Sequence, residues 1–320
     1  MAPSKLTAAL VPLLLVTASV SLFVGTGEVV LRLFPVSSGQ QTSRVNETTP
    51  LLRYEPHTTS TWSFGWNFRR PVDIRTNNYG FISDRDYDSR DDAPLLAVIG
   101  DSYIEARMVQ EQDRAATLLD QKLQPDGRCY SFAMSGSPLS QYLAYAQFAR
   151  DTFRPRGLAV LVVGNDFDES LLKYRDAGGF HYFRERDGAA LELVRTDLDI
   201  SAFRETLRHS MLFQYTLRNL HAGNFVSRIL DLFRKNAPDE ARFVGNTSVD
   251  AEPTRIADSQ RAVDTFLDEL PSRSGLGPRQ IVVAVDARRP QMYTLSQLSV
   301  VEDSYFSIMR RYLLEQAERR

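Results

Sequence analysis

Cysteine is almost absent: Cys129 is the only one in 320 residues, so no internal disulfide can form and Cys-Cys zinc spacing cannot occur. Its surroundings suit a small core residue at the start of a strand. Histidine is nearly as scarce, with His57, His181, His209 and His221 scattered and none after position 221. Each is expected to be a surface or packing histidine, and no metal or cofactor is implied. Lysine is rare as well, four residues against 34 arginines, and the net charge of −2 carries no basic stripe. That balance leaves nucleic acid without an electrostatic footprint on the chain and excludes it as a partner.

A long apolar run is present at the N-terminus. Behind Lys5, residues Leu6 to Gly27 carry no charge, about the length needed to cross a ~30 Å hydrocarbon layer as a helix. Ser19-Val20-Ser21 offers a small-x-small cleavage site, but Leu22-Phe23-Val24 prolongs the run, so residues 1–36 read as a signal anchor in preference to a cleaved signal peptide. Glu28 to Phe34 continues as an amphipathic turn or two, and Pro35 ends it. The expectation is a membrane-anchored protein whose remainder lies outside the cytoplasm, on the periplasmic or cell-surface side.

Residues 37–92 read as a polar tether followed by a small β-rich preface. Trp62, Phe64, Trp66 and Phe68 alternate, the period of a strand with one buried face, and Asp84 to Asp92 reads as a charged linker. From 93 to 320 the pattern alternates strand and helix, the mark of an α/β protein with a doubly wound parallel sheet. Strands are expected at Leu95–Gly100, Arg128–Met134, Gly157–Val163 and Gln280–Val285, with helices at Asp113–Leu123, Leu139–Phe153 and from Glu302 onward. A large insertion, 168–258, follows the third strand and carries a helical stretch from Ser201 to Lys235. Its aromatics Phe180, Tyr182 and Phe183 suit either a sugar-stacking platform or a lid core.

Three of these strands end in polar turns: Gly100-Asp101-Ser102, Ser135-Gly136-Ser137 and Gly164-Asn165-Asp166. Open α/β sheets place their sites at the carboxyl ends of the strands, so adjacency would bring the three turns to one edge. Ser102 is the candidate nucleophile. The Ser102 and Gly136 N–H groups and the Asn165 amide are candidate donors to a developing oxyanion. Glu105, one turn past Ser102, reads as a solvated first-turn carboxylate.

Val98-Ile-Gly-Asp-Ser-Tyr-Ile-Glu-Ala106 resembles block I of the SGNH, or GDSL-type, hydrolases. Met134-Ser-Gly-Ser137 resembles block II, and Val163-Gly-Asn-Asp166 resembles block III, in the family's order. The anchor, the Glu28-to-Leu33 run and Asn78-Tyr-Gly-Phe81 are similar to bacterial envelope-anchored members. The resemblance implies a flavodoxin-like sheet, Ser102 as nucleophile, Gly136 and Asn165 in the oxyanion hole, and Asp101 and Asp166 as supports. Two positions depart mildly: Ala106 stands where the family usually has glycine, and Ser131 where block II often has asparagine. The larger departure is that the family's last block, Asp-x-x-His, does not occur in this sequence. A final strand and that block are expected beyond Arg320, because the amphipathic run from Glu302 ends where they would begin.

The resemblance implies a serine esterase acting on acyl esters through an acyl-enzyme. An O-acyl (acetyl) transferase or deacetylase working on envelope polysaccharide is the second reading. A non-catalytic carbohydrate-binding or scaffold protein that retains the cleft is the third, since a serine hydroxyl without a base is a weak nucleophile. The expected partners are an acyl ester or acylated glycan and, through the N-terminal helix, the membrane.

Overall fold

The structure, a computed structural model, describes residues 5–186, 190–221, 246, 247, 249–287 and 303–320. In chain order its elements are α1 (Lys5–Leu31), β1 (Thr59–Phe64), β2 (Arg69–Arg75), β3 (Leu95–Gly100), α2 (Ser102–Glu105), α3 (Ala115–Leu123), β4 (Arg128–Ala133), α4 (Leu139–Phe153), β5 (Gly157–Val162), β6 (His181–Arg186), β7 (Ala190–Arg195), α5 (Ala202–Arg208), α6 (Met211–Gln214), α7 (Pro253–Ser274), β8 (Ile281–Val285) and α8 (Tyr305–Arg319). They fall into two compact units. The described residues of Met1–Gln40, Thr59–Ile74 and Ile200–Ala237 form the first, and those of Gln41–Thr58, Arg75–Asp199 and Pro238–Arg320 the second.

In the first unit, Val11–Leu31 of α1 has a mean hydropathy of 1.9 and none of it is buried. It is long and apolar enough to span a bilayer, as a signal sequence also is. Strands β1 and β2 pair with each other and meet at a turn whose Gly65 sits at φ +74. That turn corrects the expected aromatic face. Only Trp62 and Phe64 belong to a strand; Trp66 stands on the turn, 71% exposed, and Phe64 is 47% exposed, so no buried stripe forms. The helical stretch from Ser201 resolves into α5, α6 and a π-helical turn, Tyr215–Asn219. Residues 222–235 of that expected stretch lie outside the described residues.

The second unit is an α/β structure around a four-stranded parallel sheet, ordered β4-β3-β5-β8. Registers run Leu95↔Arg128 to Gly100↔Ala133, Leu96↔Gly157 to Ile99↔Val160, and Leu158↔Ile281 to Val162↔Val285. The chain leaves β3 for β4 on one side and returns to β5 on the other. The ends of β3 and its two neighbours therefore frame a switch point at the carboxyl edge. β3 is nearly free of polar groups because it is covered on both faces. On one face Val98, Ile104, Cys129 and Ala133 pack with Ala116 and Leu119 of α3. Burial pushes the Cys129 thiol up to about 12, so it behaves as an apolar filler.

Helix α4 is buried along Leu139, Tyr142, Leu143, Ala146 and Ala149 and packs against α7. In α7, Ala262, Val263, Phe266, Leu267 and Leu270 recur at helical spacing, Pro253 opens the helix and Gly275 closes it at φ +70. The expected insertion boundary at 258 falls inside this helix. The Pro253 start and Gly275 stop were the signals available for it.

The segment read as a charged linker, Asp84 to Asp92, is exposed except at Tyr87, which with Phe81 just before the segment enters the core of the second unit. Phe81 and Tyr87 are buried, with Phe81 edge-on to Phe132 at 5.2 Å and Tyr87 stacked on Tyr130 at 3.9 Å. The Tyr87 hydroxyl accepts from the Ser131 N–H at 3.0 Å, and Asp120 Oδ1 accepts from the Cys129 N–H at 2.7 Å. Phe180, Tyr182 and Phe183 are also buried, Tyr182 completely, so they fill the core rather than offer a stacking platform. Phe183 lies in the β6–β7 hairpin, whose antiparallel pairing runs from His181↔Arg195 to Arg186↔Ala190.

Candidate active site

β3 turns into α2 without room for a side chain at position 100. A Cβ on Gly100 would sit 2.5 Å from Cγ1 of Ile104. Asp101 follows as the N-cap of α2, its Oδ1 accepting from the Tyr103 N–H at 2.9 Å. Ser102 is half-buried at the first helical position and its hydroxyl donates to Asp101 Oδ2 at 3.0 Å. Helix α2 ends after one turn because Ala106 takes the left-handed conformation, φ 46, which a glycine would adopt more readily.

On the β4 side, Gly136 has φ +80, a conformation an L side chain rarely adopts. Both flanks of this residue are held. Before it, the Ser135 N–H donates to Glu105 Oε2 at 3.1 Å and the Ser135 hydroxyl bonds the same carboxylate. After it, the Gly136 carbonyl accepts from Arg175 Nη1 at 2.5 Å. The N–H groups of Ser102 and Gly136 have no acceptor among the described residues.

On the β5 side, Asp166 is fully buried; its Oδ2 accepts from the Tyr142 hydroxyl and from the Val163 N–H, each at 2.8 Å. Burial, reinforced by the charge of Asp101, holds the Asp166 carboxyl well above the usual carboxylate range. Asn165 is oriented by two neighbours. Its Oδ1 accepts from Asn246 Nδ2 at 2.6 Å, and its Nδ2 donates to Glu169 Oε2 at 3.3 Å. Glu169 Oε2 also accepts from Arg175 Nη1 at 2.5 Å, so one guanidinium links the Gly136 turn to the Asn165 turn. Arg175 lies 4.8 Å over the Phe180 ring, which fixes its plane.

No protein-family model matches the chain, and no curated protein does. Among solved structures it is similar to a mutant of the esterase AlinE4, with 15% sequence identity and a TM-score of 0.26 over 61% of this chain and 77% of that one. A superposition at that score does not establish a common fold.

The three expected turns do converge: Gly136, Ser102 and Asn165 stand at the carboxyl ends of the adjacent strands β4, β3 and β5. Glu105 overturns its expectation. It is buried, it bonds Tyr54 and Ser135, and burial raises its carboxyl above 4.5 against the pull of Arg107. The competing influence is Tyr54, 51 residues upstream, whose hydroxyl draws the carboxylate inward.

Replacing Glu105 by alanine leaves the Tyr54 hydroxyl and the Ser135 N–H unpaired, and an unmade buried hydrogen bond costs ~1 to 3 kcal/mol. Urea unfolding of Glu105→Ala is expected to give a stability about 3 kcal/mol below that of the parent; a difference within ~0.5 kcal/mol contradicts the assignment. The native state keeps a proton on Glu105 that the unfolded chain releases above 4.5. This carboxyl therefore lowers stability as pH rises through that window, and Glu105→Gln removes its share of the slope.

Residue Asp286, missed from sequence, follows β8 as Asp101 follows β3, and its N–H donates to the Val162 carbonyl at 2.9 Å. Burial, then the charge of Asp101, raises its carboxyl. The signal was an apolar run, Ile281–Val285, ending directly in an acid.

None of the four histidines has Ser102 as a hydrogen-bond partner among the described residues. His57 pairs with Arg75 and Asp86, His181 with Gln141, His209 with Glu205 and His221 with the Asn219 carbonyl. Burial, then Arg195 and Arg273, pushes the His181 imidazole down from 6.5 to about 4, so it is neutral at pH 7. Between those two values the unfolded chain binds a proton that the native one refuses, and acidification lowers stability. Thermal unfolding of His181→Asn is expected to depend less on pH than the parent across this range. Parallel profiles speak against a neutral, buried His181.

Proposed function

We propose that this chain is an SGNH-type serine esterase that cleaves acyl esters, held in a membrane by α1 with the second unit outside the cytoplasm. One arrangement carries the reading: a serine at the end of a parallel strand, flanked on the two neighbouring strand ends by a positive-φ glycine and an asparagine amide. In the reaction, Ser102 Oγ attacks the ester carbonyl carbon while its proton passes to a base. The carbonyl electrons move onto oxygen, where the Ser102 and Gly136 N–H groups and Asn165 Nδ2 meet the charge. Collapse expels the alcohol, which takes the proton, and water repeats the sequence on the acyl-enzyme to release the acid. In the family the base is the histidine of Asp-x-x-His, a block the present sequence does not include.

Labelling of the native, membrane-extracted protein with a fluorophosphonate tests the reading. Covalent modification at Ser102, absent from Ser102→Ala, is expected. A folded protein that does not react is a binding protein rather than an esterase, because a serine without its base stays unreactive.

A further inference from the structure

We propose that the first unit is a lipid-facing collar around the root of α1, whose exposed aromatic and aliphatic side chains seat in the headgroup layer of an anionic bilayer. This goes beyond the esterase reading and rests on α1 being retained. Past the helix end at Leu31, Leu33 is 81% exposed and Phe34 49% exposed. The β1–β2 turn adds Phe64 and Trp66, and α6 adds Phe213, also exposed. Single exposed apolar residues are ordinary, but five clustered in one small unit beside an apolar helix mark a surface that water does not suit.

These side chains are presented by a built scaffold, not by loose ends. The Phe34 ring stacks on Phe68 at 5.3 Å, and Phe68 meets Tyr215 at 5.3 Å, joining the root of α1, the turn and the π-helical turn. Asn219 is buried and clasps three segments: it accepts from the Ser37 N–H at 2.9 Å and donates to Ser63 Oγ at 2.9 Å and to the Gly65 carbonyl at 3.1 Å. Glu28, within α1, accepts from Ser210 Oγ at 2.9 Å and from the Met211 and Leu212 N–H groups at 3.0 Å, which ties α6 to the helix.

Continuity with α1 identifies the occupant. Tryptophan and other aromatic rings concentrate at headgroup level, where an apolar body and a polar edge are both satisfied. Arg32, at the root of α1, is held by Glu28 and the His209 carbonyl, but arginines accompany the rings at the turn: Arg69 lies 5.5 Å over the Phe64 ring, and Arg70 is exposed beside it. Such side chains rest their stems on apolar surface and lift the guanidinium to lipid phosphates.

The test uses the full chain, with α1 confirmed by intact mass, reconstituted into vesicles of phosphatidylcholine and phosphatidylglycerol. Trp62→Phe leaves Trp66 as the only tryptophan. Its emission is expected to shift to the blue, to be quenched by phospholipids brominated near the acyl carbonyl, and to resist aqueous iodide. Iodide quenching equal to that of the unfolded chain, without quenching by brominated lipid, overturns the proposal. Resistance to both quenchers also overturns it, since that result means protein covers the surface. Should Trp62→Phe misfold, Trp66→Cys carrying a nitroxide gives the same contrast through its accessibility to oxygen and to a water-soluble nickel complex. Cys129, the only native thiol, is buried. Neither readout involves acyl chemistry, so failure of the esterase reading leaves this test intact.

Discussion

Replacing Ser102 by alanine is expected to lower kcat for p-nitrophenyl acetate by about 10⁴-fold or more while leaving the thermal midpoint almost unchanged. Loss of the nucleophile removes the covalent route, and only binding and oxyanion stabilisation remain. The small structural cost follows from the site. Among the described residues Ser102 Oγ makes a single hydrogen bond, to Asp101 Oδ2, and Asp101 keeps its capping bond to the Tyr103 N–H without it. Retained hydrolysis in a folded Ser102→Ala protein removes the assignment altogether. A drop accompanied by unfolding tests nothing about catalysis, so the melting curve belongs to the measurement.

The second large effect is expected at Asn165. Asn165→Ala should lower kcat by ~10²- to 10³-fold, the scale for loss of one oxyanion donor, with KM nearly constant, since the contact strengthens only as charge develops. In the resting site Asn165 Nδ2 is engaged by Glu169 Oε2 at 3.3 Å, toward the long end for a hydrogen bond. A developing oxyanion therefore competes with a carboxylate already drawn toward Arg175. Asn165→Asp should fall at least as far, because it places a second negative charge beside Glu169 and the oxyanion. Equal losses in kcat and binding would point to Asn165 as a structural turn residue instead.

The parallel sheet was legible because β3, β5 and β8 are short apolar runs that end in polar turns, and β4, though it carries Arg128 and Ser131, ends in the turn Ser135-Gly136-Ser137, a local pattern in each case. Leu139–Phe153 was legible for the same reason, with Pro138 opening it and apolar residues at helical spacing. What escaped was non-local. Glu105 looked solvated because a first-turn carboxylate is stable in water; only the fold brings Tyr54 and Ser135 onto it. Arg175 reaches the Gly136 turn, and Asn246 the Asn165 turn, from distant stretches that carry no motif, and Glu169, only four residues past Asn165, acquires its role through Arg175. Trp66 misled through its alternation with Phe64 and Phe68, since a turn at Gly65 interrupts the period that alternation implies.

The outer side of β4 has a consequence for how copies of this protein behave in a crowded compartment. β4 ends the sheet, and its outward N–H groups at Cys129 and Ser131 would be open positions for a foreign strand. Both are taken by side chains, Asp120 and the Tyr87 hydroxyl, the second delivered by a segment that stacks over Tyr130. An extended peptide arriving there finds its hydrogen-bond donors spoken for and an aromatic ring in its path. This edge is closed to recruitment, and the sheet cannot grow on the β4 side.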